Sequence, residues 1–378
     1  MSAIATVLGR SPSADPVVTR ELRLTATRWH SLGAVALWAS AVLLPLSVGS
    51  DLWLTVLVYA GVATIAVAGL NLLQGIAGEL SLGHAVFVAV GAYAAYFVGD
   101  THGQPLLVWL LAAAAAGGVV GALVAPVALR IRGPYLIVVT LGLLFTGTYV
   151  FDNWRGVTGG SGGSVVDLPL AIGPLDFSAL TLGSTVYSRA QGLAVLSWLI
   201  AGAALVIVKN ISRSRSGRAM LAMRDNDLAA EVVGVSLFRA KAGAFVVSSM
   251  LAGLAGGLFV AQLQFVLPSS FNLDLSVQYL AMLVIGGTAR TFGPVVGALV
   301  VGALPQLVTE YGEHFFFVKS TALEAGFGIT VAQFSVLSYG GLLVLFLIFE
   351  PDGFAGLAQR LRRRLRRPDK ASSPSSTP

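Results

Sequence analysis

Cysteine is absent from the 378 residues, which excludes a disulfide framework and any thiolate metal site. The four histidines, His30, His84, His102 and His314, are scattered, so no cluster with ligand spacing exists and no metal is expected. No G-x-x-x-x-G-K-[S/T] loop occurs, and this excludes ATP binding by that route. Charge is the scarcest feature of all. Asp, Glu, Lys and Arg make up 11% of the chain, against about 25% in soluble domains. Between Arg28 and Arg130 there is no Lys or Arg, and only Asp51, Glu79 and Asp100 are charged. A soluble domain could not cover its surface with so little charge.

What is present is apolar: 56% of residues are hydrophobic. A membrane-spanning helix needs about 20 such residues, and runs of that kind recur along the chain. The expected spans are Leu32–Gly49, Leu52–Leu73, His84–Gly99, Leu106–Leu129, Tyr135–Phe151, Gly192–Val208, Ala242–Phe265, Val277–Thr288, Phe292–Val308 and Phe334–Phe349. The fold class is therefore all-α: a polytopic transmembrane bundle of about ten spans, or about eight if the short third and eighth segments are re-entrant. The first span follows a polar, arginine-bearing segment and is expected to be retained, since no clear A-x-A cleavage site follows it. The lipid bilayer is the first expected partner.

Basic residues favour cytoplasmic loops. With both ends inside, the N-terminal arginines, Arg130 and Arg132, the cluster Lys209 to Lys241, Arg290 and the tail from Arg360 to Lys370 all fall on the cytoplasmic side. Only Arg155, Arg189 and Lys319 fall outside. Two long outer connections, Asp152 to Gln191 and Glu310 to Gln333, are each expected to carry a short helix or hairpin. In the tail, Leu357 to Arg367 reads as a basic topology anchor and Pro368 to Pro378 as disordered. Spans two to five start outside and spans seven to ten inside, so an offset of five spans relates them as an inverted repeat.

Three segments carry mechanism. Gly69 to Tyr93, GLNLLQGIAGELSLGHAVFVAVGAY, should contain a cytoplasmic turn yet has no Lys or Arg. Asn71, Gln74, Glu79, Ser81 and His84 interrupt its apolar run, with five glycines among them. It reads as a broken helix beside a polar pathway, the alternative being a short loop with packing glycines. Glu79 by itself reads as structural. Thr140, Gln262 and Gln264 are further pathway candidates. The second segment, Asn210 to Lys241, is the one sizeable charged stretch between spans. Arg218 to Met223 has helical propensity. Asp225 or Asn226 can cap a short helix over Leu228 to Val233, ended by Gly234. Such a compact amphipathic element suits a groove on a soluble partner. The third, Met282 to Ala303, places Gly286-Gly287 and Gly293-Pro294 around a turn at Arg290. Its Gly293-x-x-x-Gly297 spacing, like Gly117 with Gly121 and Gly253 with Gly257, permits close helix approach.

These segments resemble the permease subunits of branched-chain amino acid ABC importers, most closely the M-type subunit, in a family that also serves urea and short amides. The resemblance runs from about Tyr59 to Pro351. It includes RGPYLIVVTLGLLF at 132–145, NWRGVTGGSGG at 153–163 and the GGTARTFGPVVGA turn. It implies a heterodimer with an H-type permease, two ATPase subunits below and an extracytoplasmic substrate-binding protein above, in a bacterial inner membrane. Arg218, Arg224, Asp225, Ala229, Ala230, Glu231 and Gly234 would then belong to an EAA-type coupling loop. Asn71, Gln74, Glu79, Ser81, His84, Thr140 and Gln262 would line or border the pathway. The chain divides into a polar segment 1–31, a permease domain 32–350 containing the coupling loop 210–241, and a cytoplasmic tail 351–378. No catalytic residue, no cofactor and no nucleic-acid partner are expected, ATP being bound by the partner subunits. The sequence departs from the family pattern at Glu79, where Gln is expected, at Arg290, and in the arginine-rich tail. A self-contained secondary transporter would need ionisable groups inside the bundle, and these are scarce; a scaffold without transport would need no inverted halves.

Overall fold

The computed structural model describes residues 39, 42–130, 135–182 and 185–311, with short pieces between 318 and 345. Half of each of the expected spans Leu32–Gly49 and Phe334–Phe349, and the ends 1–31 and 351–378, lie outside the described residues. In chain order the helices are α1 Asp51–Leu70, α2 His84–Ala95, α3 Leu106–Arg130, α4 Tyr135–Asn153 and α5 Arg189–Arg213. They continue with α6 Arg215–Asp225, α7 Asp227–Val232, α8 Leu237–Leu263, α9 Leu273–Gly286 and α10 Gly293–Tyr311. In lipid the backbone must satisfy its own polar groups, so runs that are apolar all round become helices. Polar residues mark the ends instead. Ser188, Ser214, Asn226, Ser236 and Asn272 each accept a hydrogen bond from a backbone amide in the first turn of the helix they start.

Among the described residues, five helical segments are long and apolar enough to cross a membrane: Asp51–Ile76, Leu106–Val127, Tyr135–Asn153, Arg189–Arg213 and Leu237–Leu263. They coincide with the expected second, fourth, fifth, sixth and seventh spans. The expected third and eighth are short, as their sequences indicated. α2 has 12 residues before a π-helical extension over Tyr96–Thr101, and α9 has 14. At about 1.5 Å per residue neither α-helix covers a hydrocarbon core about 30 Å thick. The lengths also repeat at an offset of five spans: 26 and 27 residues for α1 with its extension and for α8, then the short α2 and α9.

α8 lies at the centre, against α1, α2 and α3, while α1 also meets α5, α9 and α10. Missing side chains make this approach possible. A Cβ on Gly91 would collide with the Gly253 carbonyl, and one on Gly117 with the Ser249 carbonyl. Gly297 is pressed in the same way against the Met282 carbonyl. The small-residue spacings read from the sequence therefore mark where backbones touch. Burial is uneven. In α1, 89% of the apolar window is inside the bundle, against 17% in α4. α1 is a core helix, and α4 turns Val138, Phe145 and Tyr149 outward.

The two ends of α8 meet different structures. Near Leu237 it joins α6 and α7. Past Leu263 the chain forms β6 (Phe265–Val266), which pairs antiparallel with β1 (Ser164–Val165). The connection after α4 adds two hairpins, β2 Ala171–Ile172 with β3 Leu175–Asp176 and β4 Thr181–Leu182 with β5 Thr185–Val186. These are the surface hairpins expected of that connection. The second long connection holds a parallel pair, β7 Val318–Lys319 with β8 Ile329–Thr330.

Candidate functional site

The site is built around the end of α1. The last turn widens into a π-helix, Asn71–Ile76, a distortion that recurs at functional positions. It is closed by the Ala77 amide on the Leu72 carbonyl and the Glu79 amide on the Leu73 carbonyl, both at 3.0 Å. Between those two amides Gly78 takes φ 78°, the left-handed conformation such a terminus needs. The chain then runs back through 79–83 and restarts as α2 at His84. His84 is buried, with Nε2 3.0 Å from the Ala66 carbonyl, well up α1 from its end. The break expected between Gly69 and Tyr93 is thus a re-entering segment with a half-length helix behind it.

All but one of the polar side chains of the break have a partner that fixes them. Asn71 accepts from the Ala289 amide at 2.8 Å and donates to the Arg290 carbonyl at 3.0 Å. One side chain thereby ties the end of α1 to the turn between α9 and α10. Gly75 leaves room for this, since a Cβ there would stand 2.7 Å from the Ala289 nitrogen. Gln74 donates to the Ser81 carbonyl at 2.7 Å. Thr140 accepts from the Leu82 amide at 3.2 Å and donates to the Ile137 carbonyl, bringing in α4. The Ala85 amide donates to Ser276 Oγ of α9 at 3.0 Å, and the His84 ring meets Tyr279 edge-on. Ser81 Oγ is buried and has no hydrogen-bond partner among the described residues.

Charge enters this apolar interior from one direction. Lys241, in the second turn of α8, puts Nζ 2.6 Å from Glu79 Oε1 and 3.7 Å from Asp227 Oδ2 of α7. The Lys241 and Glu79 side chains are only 6% and 11% exposed, so the pair is largely out of water. Burial pushes the Glu79 carboxyl above its usual range, and Lys241 opposes that push. Arg224, at the end of α6, donates to the Gly75 carbonyl. A cation at the C-terminal end of a helix satisfies an orphan carbonyl and suits the helix dipole.

Of the loop residues singled out in the sequence, Arg224 lies at this junction. Arg218 donates to the Arg213 carbonyl at 3.1 Å, closing the end of α5. Asp225 ends α6, and Asn226, rather than Asp225, caps α7 through the Ala229 amide at 3.0 Å. Ala230 is buried against the bundle, while Ala229 and Glu231 are exposed. Gly234 ends the element at φ 86°. The outer face of α7, with its capping residue, is apolar: Leu228 and Val232 are 63% and 87% exposed, and Val233, which caps the helix, is 77% exposed. Of the pathway candidates, Asn71, Gln74, Glu79, Ser81, His84 and Thr140 gather at the break. Gln262 does not join them. It lies near the far end of α8, its amide 3.4 Å from the Thr55 carbonyl. Lys241 and Asp227 were not among the site residues read from sequence; the 287–292 turn was singled out there, but not its contact with Asn71. The available signal for Lys241 was its position, a lone lysine leading into a long apolar span.

Membrane-length helices around a broken core helix, with a small helix pair held against the break, define a multi-pass membrane protein. The family model for "Branched-chain amino acid transport system / permease component" matches residues 52–347, and the chain belongs to that family. The High-affinity branched-chain amino acid transport system permease protein LivM of Salmonella typhimurium is 31% identical over 299 residues. Its Escherichia coli counterpart is 32% identical over 303 residues. In each case 75% of this chain is covered, and the chain spans 65% of the relative's length. The Ribose import permease protein RbsC of Haemophilus influenzae is 28% identical over 260 residues, covering 66% of this chain and 75% of that protein. No solved structure matches.

Proposed function

We propose that this chain is the transmembrane permease subunit of an ATP-binding-cassette importer that carries branched-chain or similar hydrophobic amino acids across the inner membrane. Family membership and the kinship with LivM support the substrate class. The observation that carries the machine is the exposed apolar face of α7, attached to the break in α1 through Arg224 and Lys241. In this reading α6 and α7 are the cytoplasmic coupling element and both termini are cytoplasmic. The partners are an H-type permease, two ATPase subunits that bind and hydrolyse ATP, and an extracytoplasmic binding protein. The chain itself has no catalytic residue. The two turns joined by Asn71 close the inner side of the pathway, and the polar residues of the break border it.

Two experiments test this. Purification of the tagged chain with its neighbours should bring ATPase subunits with it. Uptake of labelled leucine should be blocked by isoleucine and valine and not by urea or ribose. Uptake blocked by ribose alone would move the substrate to another branch of the family, a reading supported by the likeness to the ribose permease, and uptake blocked by urea alone would move it to urea or short amides.

A further inference from the structure

Glu79 is the one acidic residue between Asp51 and Asp100. It is buried in the turn behind α1, and its partner is a buried lysine at the start of another helix. A charge pair removed from water is held at a desolvation penalty that its mutual attraction barely repays. A hydrophobic pair of the same volume would pack α8 against this turn at least as well. What the ion pair adds is a directional tether between particular atoms. Three groups share it: Glu79 on the turn, Lys241 on α8 and Asp227 on α7. Arg224 on α6 makes a second tether to the same helix end through the Gly75 carbonyl. A Cβ on Gly78 would stand 2.8 Å from Arg224 Cγ, so the turn and the arginine stem are in direct contact. From there Asn71 holds the 287–292 turn by two hydrogen bonds.

We propose that Lys241–Glu79, with Arg224 on Gly75, is a latch that makes α6, α7 and the two inner turns move as one body. This rests on the importer reading above and assigns its force transmission to these residues. Displacement of α7 by a partner would reach Glu79 through Asp227 and Lys241, reach Gly75 through Arg224, and reach the second turn through Asn71. Lys241 and Glu79 are positioning residues; neither need touch the transported molecule.

The chain has no cysteine, so spin-label pairs can be placed on it at chosen positions. Leu80 is 50% exposed and Ile172, on the far hairpin, is 41% exposed; Ser216, near the start of α6 and away from the apolar face of α7, is exposed as well. With labels at Leu80→Cys and Ser216→Cys in the assembled importer, the latch predicts one narrow distance, the same without nucleotide and with ATP trapped. Labels at Leu80→Cys and Ile172→Cys should show a distance that shifts on trapping. In Lys241→Met or Glu79→Gln the first distance should broaden and become nucleotide-dependent, and uptake per ATP should fall about tenfold. The double variant Glu79→Gln/Lys241→Met separates a latch from a staple. It removes both charges and so recovers thermal stability, yet uptake per ATP should stay low. A Leu80–Ser216 distance that is broad or nucleotide-dependent in the wild type, or a double variant with wild-type coupling, overturns the latch. The first distance needs no substrate. Loss of wild-type amino-acid uptake would therefore count against the importer reading, and a loose Leu80–Ser216 distance against the latch.

Discussion

The two ends of α8 are fastened by different chemistry. At the α6–α7 end the fastening is ionic and made by side chains: Lys241 on Glu79 and Asp227, Arg224 on the Gly75 carbonyl. At the hairpin end a backbone ladder is joined by neutral and carboxylate side chains that bond to backbone groups. β6 pairs with β1, the Trp109 indole donates to the Pro169 carbonyl at 2.9 Å, and the Asp167 amide donates to the Asp100 carboxylate at 2.8 Å. The ion pair found there, Arg189 with Asp167 at 3.5 Å, has an 81% exposed carboxylate. A backbone ladder holds one register and resists sliding. Contacts between long side chains on separate helices tolerate concerted movement while staying joined. In the proposed importer the hairpin end would stay fixed and the α6–α7 end would be pulled.

Four substitutions sharpen the contrast, each read as thermal unfolding of the purified protein in detergent. Lys241→Met has the largest effect, a loss of about 3–5 kcal/mol, because Glu79 is left buried without its cation. Asn71→Ala should lose roughly 2–4 kcal/mol, since the Ala289 amide and Arg290 carbonyl both lose their partner. At the other end, Trp109→Phe keeps most of the packing and strands one carbonyl, for about 1–2 kcal/mol. Asp167→Ala should change stability by under about 1 kcal/mol, and that difference should shrink with added salt. The contrast fails if Asp167→Ala matches Lys241→Met.

Much of this architecture was legible in the sequence. α1, α3, α4, α5 and α8 were readable because each is a long apolar run closed by polar or glycine residues. The break after α1 was readable because polar residues and glycines crowd a stretch that should be uniformly apolar. α7 and its end at Gly234 followed from local capping rules, which act over a few residues. Contacts between distant segments were not legible. Asn71 and Ala289 stand 218 positions apart, and nothing local in either says that they meet. The same holds for Lys241, whose neighbours in sequence give a topology signal and no hint of Glu79. Gln262 looked like its companions because polarity inside an apolar run is the same signal at either end of a helix; depth is set by tertiary packing.

The proposed importer requires α7 to be the surface that a partner ATPase grips. Val232→Asp places a charge at the centre of its exposed apolar face, where the bundle itself makes no use of the side chain. The purified variant should unfold at the wild-type temperature and should no longer bring ATPase subunits with it. Full retention of those subunits, with the chain still folded, would contradict the account.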